Sequence, residues 1–429
     1  MKASRLFPVL FLVFCGSTAL TTGADAATLQ SALSQAYKNN PQLNAERARV
    51  RATDENVPQA LSGYRPTISA NASIGAQYYD ARSSGQNVQG DTVPRGAGIT
   101  ATQTIFNGFR TGNRTRAAES GVFSGREGLR MIEQTVLLDA ATQYMNVLRD
   151  TAILDLQRRN VEVLEEQLRQ TRDRFNVGEV TRTDVAQAES RLAAARSSAL
   201  AAEANLTASR AAYRRVVGED PNGLAAGMPV DRLSPSTLAV AVQRGTAEHP
   251  QITAAMYGVD VQRNAQQNYG SSPLVPRAFT ASLIGQVSIP IYQGGQEYSL
   301  IRQSKETLGQ QRLGLELQRD QVRQAVVQAW GALTAAKAQI QAAQAQVAAA
   351  EIALNGVREE ARVGQRTTLD VLNAQQELVN ARVSLVTAQR DRVVASYTLL
   401  AATGRLRPET LNLPVEVYDP RVHYHQVRD

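Results

Sequence analysis

A nine-residue stretch occurs twice in this chain, and the spacing between its copies limits what the chain can fold into. Val177-Gly-Glu-Val-Thr-Arg-Thr-Asp-Val185 and Val363-Gly-Gln-Arg-Thr-Thr-Leu-Asp-Val371 agree at both valines, the glycine, the first threonine and the aspartate. The offset is 186 residues (363 − 177). It recurs upstream, where Ile105-Phe-Asn-Gly108 matches Ile291-Tyr-Gln-Gly294. Downstream it relates Ala195-Arg196 to Ala381-Arg382 and Gly218 to Gly404. An offset held over that distance marks a duplicated structural unit.

The duplicated stretches are helical. No proline occurs between Phe106 and Asp220, nor between Ile291 and Arg407, and alanine, glutamine and arginine dominate both runs. Such runs favour long helices with tight reversals. Gly178 and Gly364 interrupt the periodicity, each followed by a threonine and an aspartate suited to start a new helix. Each half is therefore expected to hold a long helix (residues 110–175, then 296–361) and a shorter returning one (182–217, then 368–403). Val326, Leu333, Ile340, Val347 and Leu354 recur every seven residues, with Ala329, Ala336, Ala343, Ala350 and Val357 beside them. The return carries Ala374, Ala381, Ala388, Ala395 and Ala402. Large residues beside alanines let helices pack side by side, as in coiled coils. In the first copy the large seam is Ala140, Val147, Leu154, Val161 and Leu168, and its companion is polar: Gln143, Asp150, Gln157 and Thr171.

A long helix of this kind reaches about 100 Å. Residues 28–62, helical in pattern and interrupted at Asn39-Asn-Pro41, supply a short helix that stacks end-on above the return helix. Then the period changes to two. Ile68, Ala70, Ala72, Ile74, Ala76 and Tyr78 face one way; Thr67, Ser69, Asn71, Ser73, Gln77 and Tyr79 face the other. That alternation predicts a strand, and it suits one with lipid outside and water inside. Residues 80–95 read as a polar loop and 96–106 as a second strand. Strand edges at the end of such rods demand closure, most simply by several copies sharing one barrel.

The rest of the chain bounds the function. Lys2, Arg5, the apolar run Leu6 to Phe14 and Ala24-Asp-Ala26 form a secretory leader over residues 1–26. Lipidation at Cys15 is disfavoured by the bulky Phe14 before it. Once the leader is removed no cysteine remains, and no segment is apolar for long enough to be a membrane-spanning helix. Net charge is +7 with the signs interspersed, so no nucleic-acid footprint appears. The histidines are His249, His423 and His425; no nucleophile motif or phosphate-cradling loop accompanies them. His423-Tyr-His425 in a terminal tail reads as surface rather than a metal site. No enzyme, cofactor or metal is expected.

Domain organisation follows: leader 1–26, first repeat 27–218, linker 219–236 with Pro221, Pro229 and Pro235, second repeat 237–404, and tail 405–429 along the surface. Glu248-His-Pro-Gln-Ile252 echoes Asn39-Asn-Pro-Gln-Leu43 at an offset of 209 (250 − 41), so the second repeat is 23 residues shorter (209 − 186). The shortening falls on its first strand. Phe279 to Ile291 alternates well, but Arg263 to Tyr269 does not, which leaves the second strand pair lopsided or incomplete.

Asn-Pro-Gln-Leu near the start, Ile-Phe-Asn-Gly and Ile-Tyr-Gln-Gly after strands, and the paired Val-Gly-x-x-Thr-x-x-Asp-Val turns together resemble the TolC family of outer-membrane efflux and type I secretion channels, over nearly the whole mature chain. The resemblance implies a mainly α, mixed fold: antiparallel helical hairpins forming an α-barrel tunnel, below a transmembrane β-barrel shared by a homotrimer in outer-membrane lipid. It implies a periplasmic adaptor and an inner-membrane efflux pump or ABC transporter as partners. It places adaptor docking at Val177, Gly178, Thr181, Val363, Gly364 and Thr367. It places the periplasmic gate at Thr183, Asp184, Arg366 and Asp370, with Asp370 in a ring and Arg366 linked to Thr183 and Asp184 of a neighbouring hairpin. Asn373 stands where the family has a second ring aspartate, and Ala361 where it has a bracing tyrosine. Asp184 and Asp370 also read simply as acids favoured at helix N-termini. A soluble periplasmic coiled-coil adaptor or scaffold is the competing class; it accounts for the heptads and the leader but not for the strand alternation or the duplication.

Overall fold

A computed structural model describes residues 27–83, 86–265 and 294–428. The leader, and the shortened stretch of the second repeat with its expected strand over 279–291, lie outside the described residues.

Three helices open the chain: α1 (Leu29–Asn39), α2 (Pro41–Asp54) and α3 (Asn56–Leu61). Asn40 makes the break between the first two. Its Oδ1 accepts from Gln42 N (2.9 Å) and Leu43 N (3.3 Å), capping α2, while its Nδ2 donates to Val216 O at 3.0 Å. Val216 belongs to the last turn of the first return helix, so this one side chain joins two helices end to end, as the length argument requires. Further along, α6 (Leu238–Glu248) and α7 (Pro250–Ala265) repeat the break at His249, whose Nδ1 accepts from Gln251 N at 3.3 Å. Burial lowers the His249 pKa, which keeps the ring neutral and able to accept.

Four strands follow α3: β1 (Thr67–Ile74), β2 (Gln77–Ser83), β3 (Gln86–Thr92) and β4 (Arg95–Thr102). β1 pairs with β4 and β2 with β3, both antiparallel. Ile74 faces Arg95 and Gln77 faces Thr92, so the register runs through the break unshifted and the four strands are one long hairpin. Gly75 N bonds to Pro94 O at 2.9 Å across the break. The expected polar loop over 80–95 is therefore a correction: most of it is strand. The sequence there is mostly polar with no two-residue period, and ladder bonds made by the backbone leave no trace in hydropathy. The second strand also stops at Thr102, short of the expected Phe106.

The rods are α4 (Arg110–Asn176), α5 (Arg182–Val217), α8 (Gln296–Arg362) and α9 (Thr368–Ala402), each within a residue or two of the expected span. α4 and α8 are 67 residues each, about 100 Å long. α4 packs against α5, α8 against α9, and α7 lies against both long helices. Among the described residues no helix is long and apolar enough to cross a membrane.

The main core surrounds the middle of α4. Leu137, Ala140, Ala141 and Tyr144 meet Leu33 and Tyr37 of α1, Tyr213 of α5 and Leu400 of α9. The Tyr144 hydroxyl donates toward Ala27 O (2.8 Å) and Ala225 O (2.6 Å), tying the start of the described chain and the linker to the rod. The tail runs along the rods, but it is more anchored than a surface strap. Leu406, Leu411 and Leu413 enter the main core. Within α10 (Arg421–Arg428), Tyr424 packs on Val57 and Val122 beneath the guanidinium of Arg126. His423 Nδ1 lies 3.1 Å from Asp54 Oδ2, so this histidine is engaged within the fold.

Candidate functional site

Two regions stand out: the hairpin at one end of the rods and the two turns at the other.

In the β1–β4 sheet, Ile68 faces Ala101, Ala70 faces Ile99 and Ala72 faces Ala97. These pairs make one apolar face. The other consists of Thr67 with Thr102, Ser69 with Thr100, Asn71 with Gly98 and Ser73 with Gly96. In the single chain Ile68, Ile74 and Ile99 are all at least 73% exposed. An apolar sheet face that large is not left in water, and here no other part of the described chain covers it.

At the far end, Gly178 (φ 82°) and Gly364 (φ 80°) take the left-handed conformation that closes each long helix and releases the return. Glu179 N bonds to Arg174 O and Gln365 N to Glu360 O, both at 2.9 Å. Thr181 and Thr367 then open α5 and α9 with capping boxes. Asp184 Oδ2 accepts from Thr181 N (2.9 Å) and Oγ1 (2.7 Å); Asp370 Oδ2 accepts from Thr367 N (3.0 Å) and Oγ1 (2.9 Å). These bonds from threonine hold both carboxyls below their ordinary value of 3.8. Val177 and Val363, at 72% and 71% exposure, project as matching apolar knobs. The ion pair braced across each turn is inverted: Arg174 to Glu179 at 3.0 Å in the first, Glu360 to Arg366 at 2.8 Å in the second.

Within the chain, then, the residues assigned to a gate do not contact one another across hairpins. Asp184 and Asp370 serve the caps of their own helices, Arg366 is paired with Glu360, and Thr183 is exposed. Other residues join the hairpins. Leu372 inserts among Leu164, Leu168, Ala188 and Leu192. Arg191 Nη2 donates to Asn373 Oδ1 at 2.7 Å. Gln375 Nε2 donates to Asn160 Oδ1 at 3.4 Å, and its Oε1 accepts from Arg358 Nη2 at 3.0 Å. Sequence reasoning singled out Asn373 only for its missing charge and overlooked Asn160, Arg191, Arg358 and Gln375. The one signal available was an amide on the inward face of each rod.

Comparison with known proteins agrees with this architecture. The family profile described as outer membrane efflux protein matches residues 32–219 and 236–405, one segment per repeat. The chain is 41% identical over 450 aligned positions to the outer membrane efflux protein BepC of Brucella suis, covering all of this chain and 96% of that one. It is 25% identical to the outer membrane protein TolC of Escherichia coli, covering 95% and 88%. Among solved structures, the CmeC outer membrane channel of Campylobacter jejuni superposes with a TM-score of 0.76 at 16% identity, covering 93% of this chain and 89% of that one.

Proposed function

The chain belongs to the outer membrane efflux protein family, and on that premise we propose that three copies close into a single passive export duct. It is an outer membrane channel of the efflux and secretion class, not an enzyme. The observation that carries the finer reading is the two-faced β1–β4 sheet. Its apolar face, led by Ile68, Ala70 and Ile99, turns to outer-membrane lipid, and its Thr, Ser and Asn face turns to a water-filled lumen. One hairpin has open edges; copies arranged in a ring remove them.

In this reading the leader is removed, the two repeats (27–218 and 237–404) stand side by side, and their turns reach into the periplasm. A periplasmic adaptor grips the tips through the exposed Val177 and Val363, set on the fixed geometry of Gly178, Thr181, Gly364 and Thr367. An inner-membrane pump or ABC transporter supplies the energy, and it selects drugs or unfolded proteins as cargo. The gate forms between copies. Asp370, repeated by threefold symmetry, narrows the entrance and attracts cations. Arg366 exchanges Glu360 for Asp184 and Thr183 of the neighbouring copy, an exposed link weak enough to yield to an adaptor.

Planar-bilayer recording of the purified trimer tests this, with Asp370→Asn alongside. Asparagine keeps an oxygen for Thr367 and removes the charge. Discrete cation-selective steps are expected, with selectivity falling toward unity in the variant. A trimer that gives no steps defeats the duct; steps of unchanged selectivity remove Asp370 from the gate.

A further inference from the structure

Away from the hairpin and the turns, one face of α4 opens onto a cavity. Phe123, Arg126, Arg130 and Glu133 recur at spacings of three and four, so they line up along one side of the helix. The tail adds Arg407 and Tyr418 to the walls, and α7 adds Tyr257. Together they enclose about 770 Å³, room for a small organic molecule. Arg130 is taken by Glu127 at 2.6 Å, and Arg421 is exposed. The other two guanidiniums are in want of an acceptor. Arg126 Nε and Nη2 and Arg407 Nε are shut away from solvent with no hydrogen-bond partner among the described residues. A buried donor left unpaired costs about 1–3 kcal/mol. Arg126 lies over the rings of Tyr424 (4.9 Å) and Phe123 (5.6 Å). Stacking occupies the faces of its guanidinium and leaves the N–H edge for a planar acceptor. Arg407 is fixed by its neighbours, because Leu406 and Pro408 are both buried.

The acids around the cavity do not fill that role. Glu133 Oε1 accepts from the Tyr37 hydroxyl at 3.1 Å, and burial raises its pKa above the ordinary 4.5, which disfavours its charge. Glu409 and Asp419 are exposed. Beside the guanidiniums lies aromatic surface. Phe123 is 41% exposed and meets Tyr257 at 5.3 Å between ring centres, and Tyr418 lines the same space. Water can serve the N–H groups, but the ring faces gain by shedding it. We propose that this cavity binds an aromatic carboxylate, its carboxylate taken by Arg126 and Arg407 and its ring laid against Phe123 and Tyr257. A single negative charge fits, since Glu133, Glu409 and Asp419 border the cavity and oppose a second. The ligand bridges α4, α7 and the tail, so occupancy fastens the tail to the rod. Every wall belongs to one protomer, and the site stands or falls separately from the duct reading.

Calorimetric titration of the purified full chain with 2-naphthoate tests the site, with 2-naphthamide as its uncharged match. Hydrogen exchange over residues 405–421 is the second readout. Naphthoate is expected to bind saturably, and naphthamide about tenfold more weakly, the worth of a charged hydrogen bond. Arg126→Gln and Arg407→Gln should each weaken naphthoate about tenfold and leave naphthamide as it was. Phe123→Leu should weaken both about threefold. Naphthoate should slow exchange over 405–421 in the wild type and not in Arg407→Gln. Arg126→Gln also removes a stack on Tyr424; should it loosen the tail, Arg407→Gln and the wild-type comparison of naphthoate with naphthamide still decide. The proposal is overturned if naphthoate gives no saturable heat, or if naphthamide binds as well. It is overturned equally if acetate or inorganic phosphate competes as strongly as naphthoate, which would leave an anion site with no use for the rings.

Discussion

α4 and α8 are the same length and descend from the same sequence, yet they do different work. α4 buries residues from Thr111 to Thr171 along its whole length, covered by α1 to α3, α5, α7, α9 and the tail. Among the described residues, α8 buries only eight, all between Val322 and Leu354. It leaves Leu313 75% and Ile352 74% exposed. One copy has become the spine of the protomer; the other leaves an apolar flank exposed. Duplication supplied two equivalent rods, and what each was packed against made them unequal.

The largest break in that comparison is expected at Tyr144 and its counterpart Trp330, 186 positions on. Tyr144 is fully buried and bonded twice; Trp330 is only partly buried. Tyr144→Ala should cost about 3–5 kcal/mol and Trp330→Ala about 1–2 kcal/mol, read from denaturant midpoints of the dissociated protomer. Equal costs would show that α8 is as central as α4.

A smaller effect separates the companion seams. Asp150, 5% exposed, accepts from Ser209 and from Arg149. The equivalent positions in the second repeat are Ala336 and Ala395. Asp150→Ala should cost about 1–3 kcal/mol, because Ser209 and Arg149 both lose their partner, and adding Ser209→Ala should recover the share that belongs to the serine. If the double variant stays as destabilised as the single, the polar pair contributes more than its own satisfaction.

The smallest expected effects fall on the tips, where the repeats still match. Thr181→Ala and Thr367→Ala should each speed exchange in the first turn of their helices about fivefold, and by the same factor. Both aspartates are held below 3.8 by threonine bonds. The stabilisation is therefore complete above that pH and lost as pH falls through the lower folded value. Each variant should converge on wild type in acid. A gap that persists there would mean that the hydroxyl alone forms the cap.

The fold was legible where local rules decide it. Missing proline, alanine seams and the Gly-x-x-Thr turns set the long helices almost to the residue, because nothing distant competes with them. The strand arms beyond Tyr79 were missed, since the sequence there is mostly polar and carries no two-residue period. The tail was underestimated because Leu411, Leu413 and Tyr424 are single apolar residues whose partners lie hundreds of positions away. The junction between hairpins was missed for the same reason: Asn160 meets Gln375, and Arg191 meets Asn373, only after both hairpins exist. Sequence period reports what one element wants; it is silent on which elements will meet.

The unshifted register of the long hairpin has a consequence for how relatives of this chain can change length. Side chains alternate across the sheet, so adding or removing one residue in β1 would send Ile68 and Ala70 to the polar face and bring Ser69 and Asn71 onto the apolar one. Two residues at a time, matched on the opposing strand, leave both faces intact. Length changes that keep both faces therefore come in even steps, and a designer lengthening the hairpin is bound by that parity.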